Sequence, residues 1–216
     1  MEQAVAGTPV ASFLDDLASA SPTPGGGAVA ALAGALGAAL VAMVCNLTIG
    51  RPRYASVEGG VRALLVRSEE ARRRLLELAD EDARAYDVVA GAYRLPRSTE
   101  SERAARAAAV QEALRAAIIP PLATIRACRD LVPLCLQVAA HGNANVASDA
   151  AVAAELASAG VRSGIWNVRA NIAEIADAAV VSHFEAEIAA AEVGLRDDLD
   201  RLGAIVRAKL APKSRG

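Results

Sequence analysis

Two aspartates stand where an unpaired charge is hard to accommodate. Asp82 falls in line with Leu75, Leu78, Ala85 and Val89 at spacings of three and four, on the apolar seam of a helix. Burying a carboxylate there costs several kcal/mol unless it is paired, hydrogen-bonded or protonated. Such a group can act as a general base, and it can equally be one half of an ion pair with an arginine from a neighbouring helix. Asp80 falls off the seam and is expected to be exposed. Asp149 opens a later helix just after the turn Asn143-Ala144-Asn145. There it or Ser148 can serve as a helix cap, worth about 1 kcal/mol, or join the two asparagines in a polar site. Asn167 and Asn171, four apart on that helix, add two amides that its propensity does not call for.

The second source of chemistry is the segment Ser21-Pro22-Thr23-Pro24-Gly25-Gly26-Gly27. Its prolines stiffen the entry, and the glycines can bare successive N–H groups at the positive end of the next helix, a setting for a carboxylate or phosphate. Close packing against a neighbouring chain explains three glycines equally well. Arg51, Arg53 and Tyr54 follow the same helix; the arginines suit anion binding and also suit the negative end of a helix dipole. His141 and His183 are isolated, with no second metal ligand at helical spacing. Cys45, Cys128 and Cys135 form no CxxC pair and suit buried small hydrophobes in a reduced cytoplasm. No serine triad order, phosphate-binding GK[ST] loop or dinucleotide fingerprint is present.

These residues need positioning, and the sequence offers helices and essentially no strands. Helices are expected over 10–20, 27–49, 57–93, 99–119 with continuation to 140, 148–175 and 178–209, followed by a basic tail. The third is the most regular: Val57, Val61, Leu64, Ser68, Ala71, Leu75, Leu78, Asp82, Ala85, Val89 and Ala92 keep a four-three alternation. Pro52, Pro96 and the pair Pro120-Pro121 mark breaks or kinks. Thr99 with Glu102 predicts a capping box. The fifth carries Asp149, Val152, Leu156, Ala159, Ser163, Trp166 and Ala170 along one stripe. The expected fold is an all-α bundle of five to six mostly long antiparallel helices, one domain over residues 1–216.

Composition narrows the partners. Hydrophobic residues make up 54% of the 216 but aromatics only 3%, so the core rests on Ala, Leu, Val and Ile. Small side chains each bury little area, which predicts a dimerising protein. A net charge of −2 argues against a nucleic-acid binder. Residues 1–9 lack the basic and apolar regions of a signal peptide. The uncharged stretch 28–47 is long enough for a membrane span, but its Ala/Gly content and lack of aromatic flanks favour a buried helix and no membrane.

In order along the chain, Phe13-Leu14, the Ser21–Gly27 segment, Leu32–Leu40, Asn46–Gly50, Asp80-Glu81-Asp82-Ala83 with Tyr86, Leu95-Pro96, Gly142-Asn143, Ser148-Asp149-Ala150 and Asn167-Val168 with Asn171 resemble the cyclodeaminase/cyclohydrolase family of folate enzymes. The likeness covers residues 10 to 185. It implies an all-α homodimer acting on a tetrahydrofolate substrate, with no metal and no cofactor beyond that substrate. Two activities are implied: methenyltetrahydrofolate cyclohydrolase and formimidoyltetrahydrofolate cyclodeaminase. The absence of a transferase domain before Gly216 and the run Met43–Gly50 favour the first. The resemblance points to Asp82 and Asp149 as the acid–base and cation-stabilising pair. It gives ring contacts to Asn143, Asn145 and Asn167, and a substrate-binding part to Tyr54 and Ser148. The glutamate tail falls to Arg51, Arg53 or the Pro24-Gly25-Gly26-Gly27 loop. Lysines are frequent in the family where this chain has Arg51-Pro52-Arg53, so charge is kept there while proton transfer is not.

Overall fold

The computed structural model describes residues 5–211, and within them eight α-helices and no strand. They are α1 (Val10–Leu17), α2 (Gly26–Asn46), α3 (Glu58–Tyr93), α4 (Glu100–Ala117), α5 (Ile119–His141), α6 (Ala147–Ile172), α7 (Ala178–Glu192) and α8 (Leu195–Leu210). The expected breaks fall where the prolines put them, and Thr99 and Glu102 close the predicted capping box. One break was not anticipated. The final helix divides at Val193-Gly194, where Gly194 takes a left-handed φ of 68° and starts α8. The last five residues, most of the basic tail, lie outside the described residues.

The centre is α2, packed chiefly on α6 and α3, with α5 behind. By length and composition it could cross a membrane, yet twelve of its residues are buried in this core. Close approach depends on absent side chains. A Cβ at Gly34 would stand 2.4 Å from Cys128 Sγ, and one at Gly160 would stand 2.5 Å from the same atom. Cys128 thus fills the space between α2 and α6, and burial pushes its thiol up to about 12, which leaves it an inert hydrophobe. Cys45 and Cys135 are buried as well.

The α3 seam is as predicted through Leu78. Val61, Leu64, Ser68, Leu75 and Leu78 are buried with Ala71 half-buried among them, whereas Asp82, Ala85 and Val89 are half-buried and Ala92 is covered again. The cause is geometric: α2 begins opposite Asp82, so the last three turns of α3 extend past its end. On α6 the stripe of Val152, Leu156, Ala159 and Trp166 points outward rather than to the core. Trp166 is 71% exposed and Val152 49%. Beside it α2 shows Val29 and Leu36, the latter 58% exposed, with Leu32, Leu40 and Met43 half-covered. The α1 helix has no buried residue at all.

Candidate active site

At its amino terminus α2 has no side-chain cap of its own. The Asp82 carboxylate, arriving from α3, accepts a hydrogen bond from the Ala28 N–H and so meets one of the orphan donors of the first turn. This explains Gly27. A Cβ built there would lie 2.1 Å from Asp82 Oδ1 and 2.2 Å from Oδ2, so only glycine admits the acid. Gly26 faces Asn167 of α6, whose Oδ1 would be 3.4 Å from an added Cβ. Asn167 Nδ2 donates to the Ser163 carbonyl at 2.9 Å, which fixes the amide and leaves its oxygen outward.

Among the described residues no arginine pairs with Asp82. The ion-pair explanation therefore fails. Desolvation holds the carboxyl above its usual range, opposed by the Ala28 N–H. Asp80 also departs from expectation: it is half-buried and accepts the Val5 N–H at 2.8 Å.

Asp82 and Asn167 head a cavity of about 390 Å³ between α3, α4 and α6, in the space left beyond the start of α2. Tyr86, Val89, Tyr93, Leu114, Asn171 and Glu174 also line it. No lysine, arginine or histidine does. Asn171 Nδ2 donates to the Ala117 carbonyl at 3.0 Å. At the far end the Tyr93 hydroxyl donates to Glu174 Oε2, and that carboxylate keeps the phenol protonated. Tyr86 entered the sequence reading only as part of the Asp80–Ala83 motif, and Tyr93 and Glu174 were not singled out. The usable signal was spacing, because Asn167, Asn171 and Glu174 continue one helical face at steps of four and three.

The other predicted residues lie at the opposite end of α2, about 30 Å away for 21 residues. There Thr48 Oγ1 donates to the Val44 carbonyl and accepts the Asn143 N–H. Asn143 Nδ2 donates to the Leu47 carbonyl, while its Oδ1 accepts the Asn145 N–H. The Tyr54 hydroxyl accepts the Ala144 N–H at 3.0 Å. Lys209 of α8 donates to the Ala140 and Gly142 carbonyls. Asn143 is buried, Asp149 half-buried, and Asn145, Ser148, Arg51 and Arg53 are exposed. Neither Ser148 nor Asp149 caps α6, whose N-cap is Val146 with no side-chain bond; Asp149 lies in the first turn. Eighteen residues of α6, about 27 Å, separate it from Asn167. One chain therefore does not bring Asp82 and Asp149 together. Pro24 lines a separate cavity with Phe13 and Arg84, and Gly25 precedes α2 in extended backbone.

Comparison with known proteins accords with this architecture. A methenyltetrahydrofolate cyclohydrolase of Methylorubrum extorquens is 51% identical over 79% of this chain and 82% of its own length. The formimidoyltransferase-cyclodeaminase of Sus scrofa is 36% identical over 82% of this chain, which spans only 32% of that longer protein. A crystal structure of formiminotetrahydrofolate cyclodeaminase from Thermotoga maritima superposes with a TM-score of 0.84, at 33% identity, covering 94% of this chain and 98% of that one. Residues 9–190 match the formiminotransferase-cyclodeaminase family. With its core helix seated on Asp82 and relatives of this similarity along most of its length, the chain belongs to that family.

Proposed function

We propose that this protein is a methenyltetrahydrofolate cyclohydrolase, converting 5,10-methenyltetrahydrofolate and water reversibly to 10-formyltetrahydrofolate and a proton. The carrying observation is the cavity headed by Asp82: two carboxylates, two tyrosines and no cationic side chain in its lining. The methenyl substrate is a planar cation, and such walls favour it by charge and by ring faces. The name and 51% identity of the Methylorubrum relative support the same reading.

The bridging carbon is already electrophilic, so the enzyme's task is to move protons. Asp82 takes a proton from water as oxygen bonds to that carbon, and it returns this proton to the ring nitrogen as the carbon–nitrogen bond at N5 breaks; the remaining hydroxyl proton passes to solvent as the formyl carbonyl forms. Its ionised form, stabilised by the Ala28 N–H, sits beside the substrate cation until water is deprotonated. Asn167 offers its amide oxygen next to the same first turn of α2. No resident metal or redox group has a part in this scheme, and cytoplasmic folate pools would supply the substrate. Loss of the methenyl absorbance on adding purified protein tests the assignment. If Asp82→Asn and the parent consume the substrate equally, the site is misassigned.

We further propose a homodimer through the outward face of α2 and α6, since a stripe with Leu36 and Trp166 exposed suits a self-complementary contact. A two-fold axis lying across α2 would set each Asp82 end against the partner's opposite end. Asp149, Ser148, Asn145, Arg51 and Arg53 would then join a shared site, with the arginines on the glutamate tail. Mixing Asp82→Asn with Asp149→Asn subunits should restore activity that neither homodimer has; exchanged mixtures that stay inactive would rule out the shared site.

The cyclodeaminase reading draws on the names of the Sus scrofa and Thermotoga maritima relatives. It predicts ammonia release from 5-formimidoyltetrahydrofolate, which a coupled ammonia assay measures directly.

A further inference from the structure

Glu174 is placed against the local electrostatics. It stands two residues beyond Ile172, at the negative end of the 26-residue α6, where an acid is disfavoured and a cation preferred. No ion pair neutralises it among the described residues. The backbone around it is nonetheless held firmly. Gln111 Nε2 donates to the Glu174 carbonyl and Gln111 Oε1 accepts the Ala176 N–H, both at 2.8 Å. Tyr93, from the end of α3, donates its hydroxyl to Oε2. Arg106 packs over the outer face of Tyr93 and bonds the Tyr93 carbonyl, so the phenol is itself fixed in place.

The carboxylate thus faces the cavity with Oε1 and a lone pair of Oε2 unused. Asn171, one turn back, has given one N–H of its amide to Ala117, which fixes the group and leaves its carbonyl oxygen as a further acceptor. This end of the cavity presents mainly acceptors, the Glu174 carboxylate foremost. It suits a ligand edge rich in N–H donors.

We infer that Glu174, oriented by Tyr93 and assisted by Asn171, grips the 2-amino and N3 N–H edge of the pterin ring while the reacting carbon lies at Asp82. The inference rests on the folate reading above and deepens it. Glu174 follows Asn167 by seven residues, just past the end of α6, about 10 Å at the helical rise, which suits a fused bicycle with a hydrogen bond at each end. The ring carries its donors on the edge remote from the bridging carbon, so gripping that edge orients the carbon toward the acid. Glu174 would then be a specificity-determining contact, and Tyr93 a positioning residue acting through it.

The test compares two substrates: the natural methenyl compound and its 2-desamino-2-methyl analogue, which lacks the amino donors. The parent enzyme should show a KM at least about tenfold higher for the analogue, the scale expected for losing bonds to a charged acceptor. Glu174→Gln should raise KM for the natural substrate by a similar factor, leave kcat within about threefold, and prefer neither substrate. Tyr93→Phe should lose part of the preference, because Glu174 is then free to turn. Glu174→Asp should recover part of it. A Glu174→Gln enzyme that discriminates as the parent does overturns the inference, whatever its overall rate. Thermal shifts with both compounds supply the same ratio without turnover. Discrimination in binding without hydrolysis would sink the cyclohydrolase reading and leave the Glu174 contact standing. Hydrolysis without discrimination does the reverse, and neither compound shifting the melting temperature removes both.

Discussion

The two ends of α2 are both rich in polar groups, but they use them differently. At the carboxyl-terminal end the side chains of Thr48, Asn143, Tyr54 and Lys209 satisfy nearby backbone groups, and both ends of the Asn143 amide are occupied within the chain. At the amino-terminal end Asp82, Asn167, Asn171 and Glu174 each make one bond that fixes the side chain, and each keeps an acceptor facing a cavity. Polarity alone therefore does not mark a site. Unused hydrogen-bonding capacity on immobilised groups does.

That contrast is open to attack, most sharply at Gly27. Gly27→Ala forces a Cβ into the Asp82 carboxylate, and steady-state assays should show at least as large a loss as Asp82→Asn, for which removal of a general base predicts a drop in kcat of about 10²–10⁴. Asn143→Ala and Asn167→Ala separate the two ends. The first should lower stability by about 1–3 kcal/mol by orphaning buried partners, seen as a fall in urea midpoint with kcat retained. The second should leave stability within about 0.5 kcal/mol and lower kcat.

A subtler effect concerns pH. Because the folded-state pKa of Asp82 is raised by desolvation, the native chain holds this proton more tightly than the unfolded chain does. Its contribution to stability accordingly falls as pH rises from the ordinary aspartate range through the raised value. Above that window Asp82→Asn should melt no lower than the parent, and calorimetry at neutral pH checks it. In the parent, kcat/KM should climb with pH over the same window as the base ionises; this limb should vanish in Asp82→Asn.

How much of this the sequence disclosed depends on the range of the signal. The seam of α3, the proline breaks and the Thr99–Glu102 box are local, and all were legible. Asp82 stood out because a carboxylate interrupted an apolar period. Its partner was misjudged, since an arginine is the commoner neutraliser and a helix end 54 residues upstream leaves no periodic trace. Glu174, an exposed acid, drew no notice, because its place depends on Tyr93, 81 residues earlier. Asp82 and Asp149 were grouped through the family resemblance, which carries no distance; the length of α6 separates them within one chain. The outward stripe on α6 had the spacing of a core face, and periodicity cannot say which neighbour a face is meant for.

The exposure of Trp166 has a practical consequence. It is the only tryptophan in the chain and adjoins Asn167, so its emission originates beside the cavity with no competing indole. The protein thus carries a built-in optical gauge with two separable readings. A coloured folate binding next door would quench it by energy transfer, whereas covering the α2/α6 face would shift the emission to shorter wavelength as water leaves the ring. Titrations of substrate and of protein concentration can therefore be followed in one cuvette without a label.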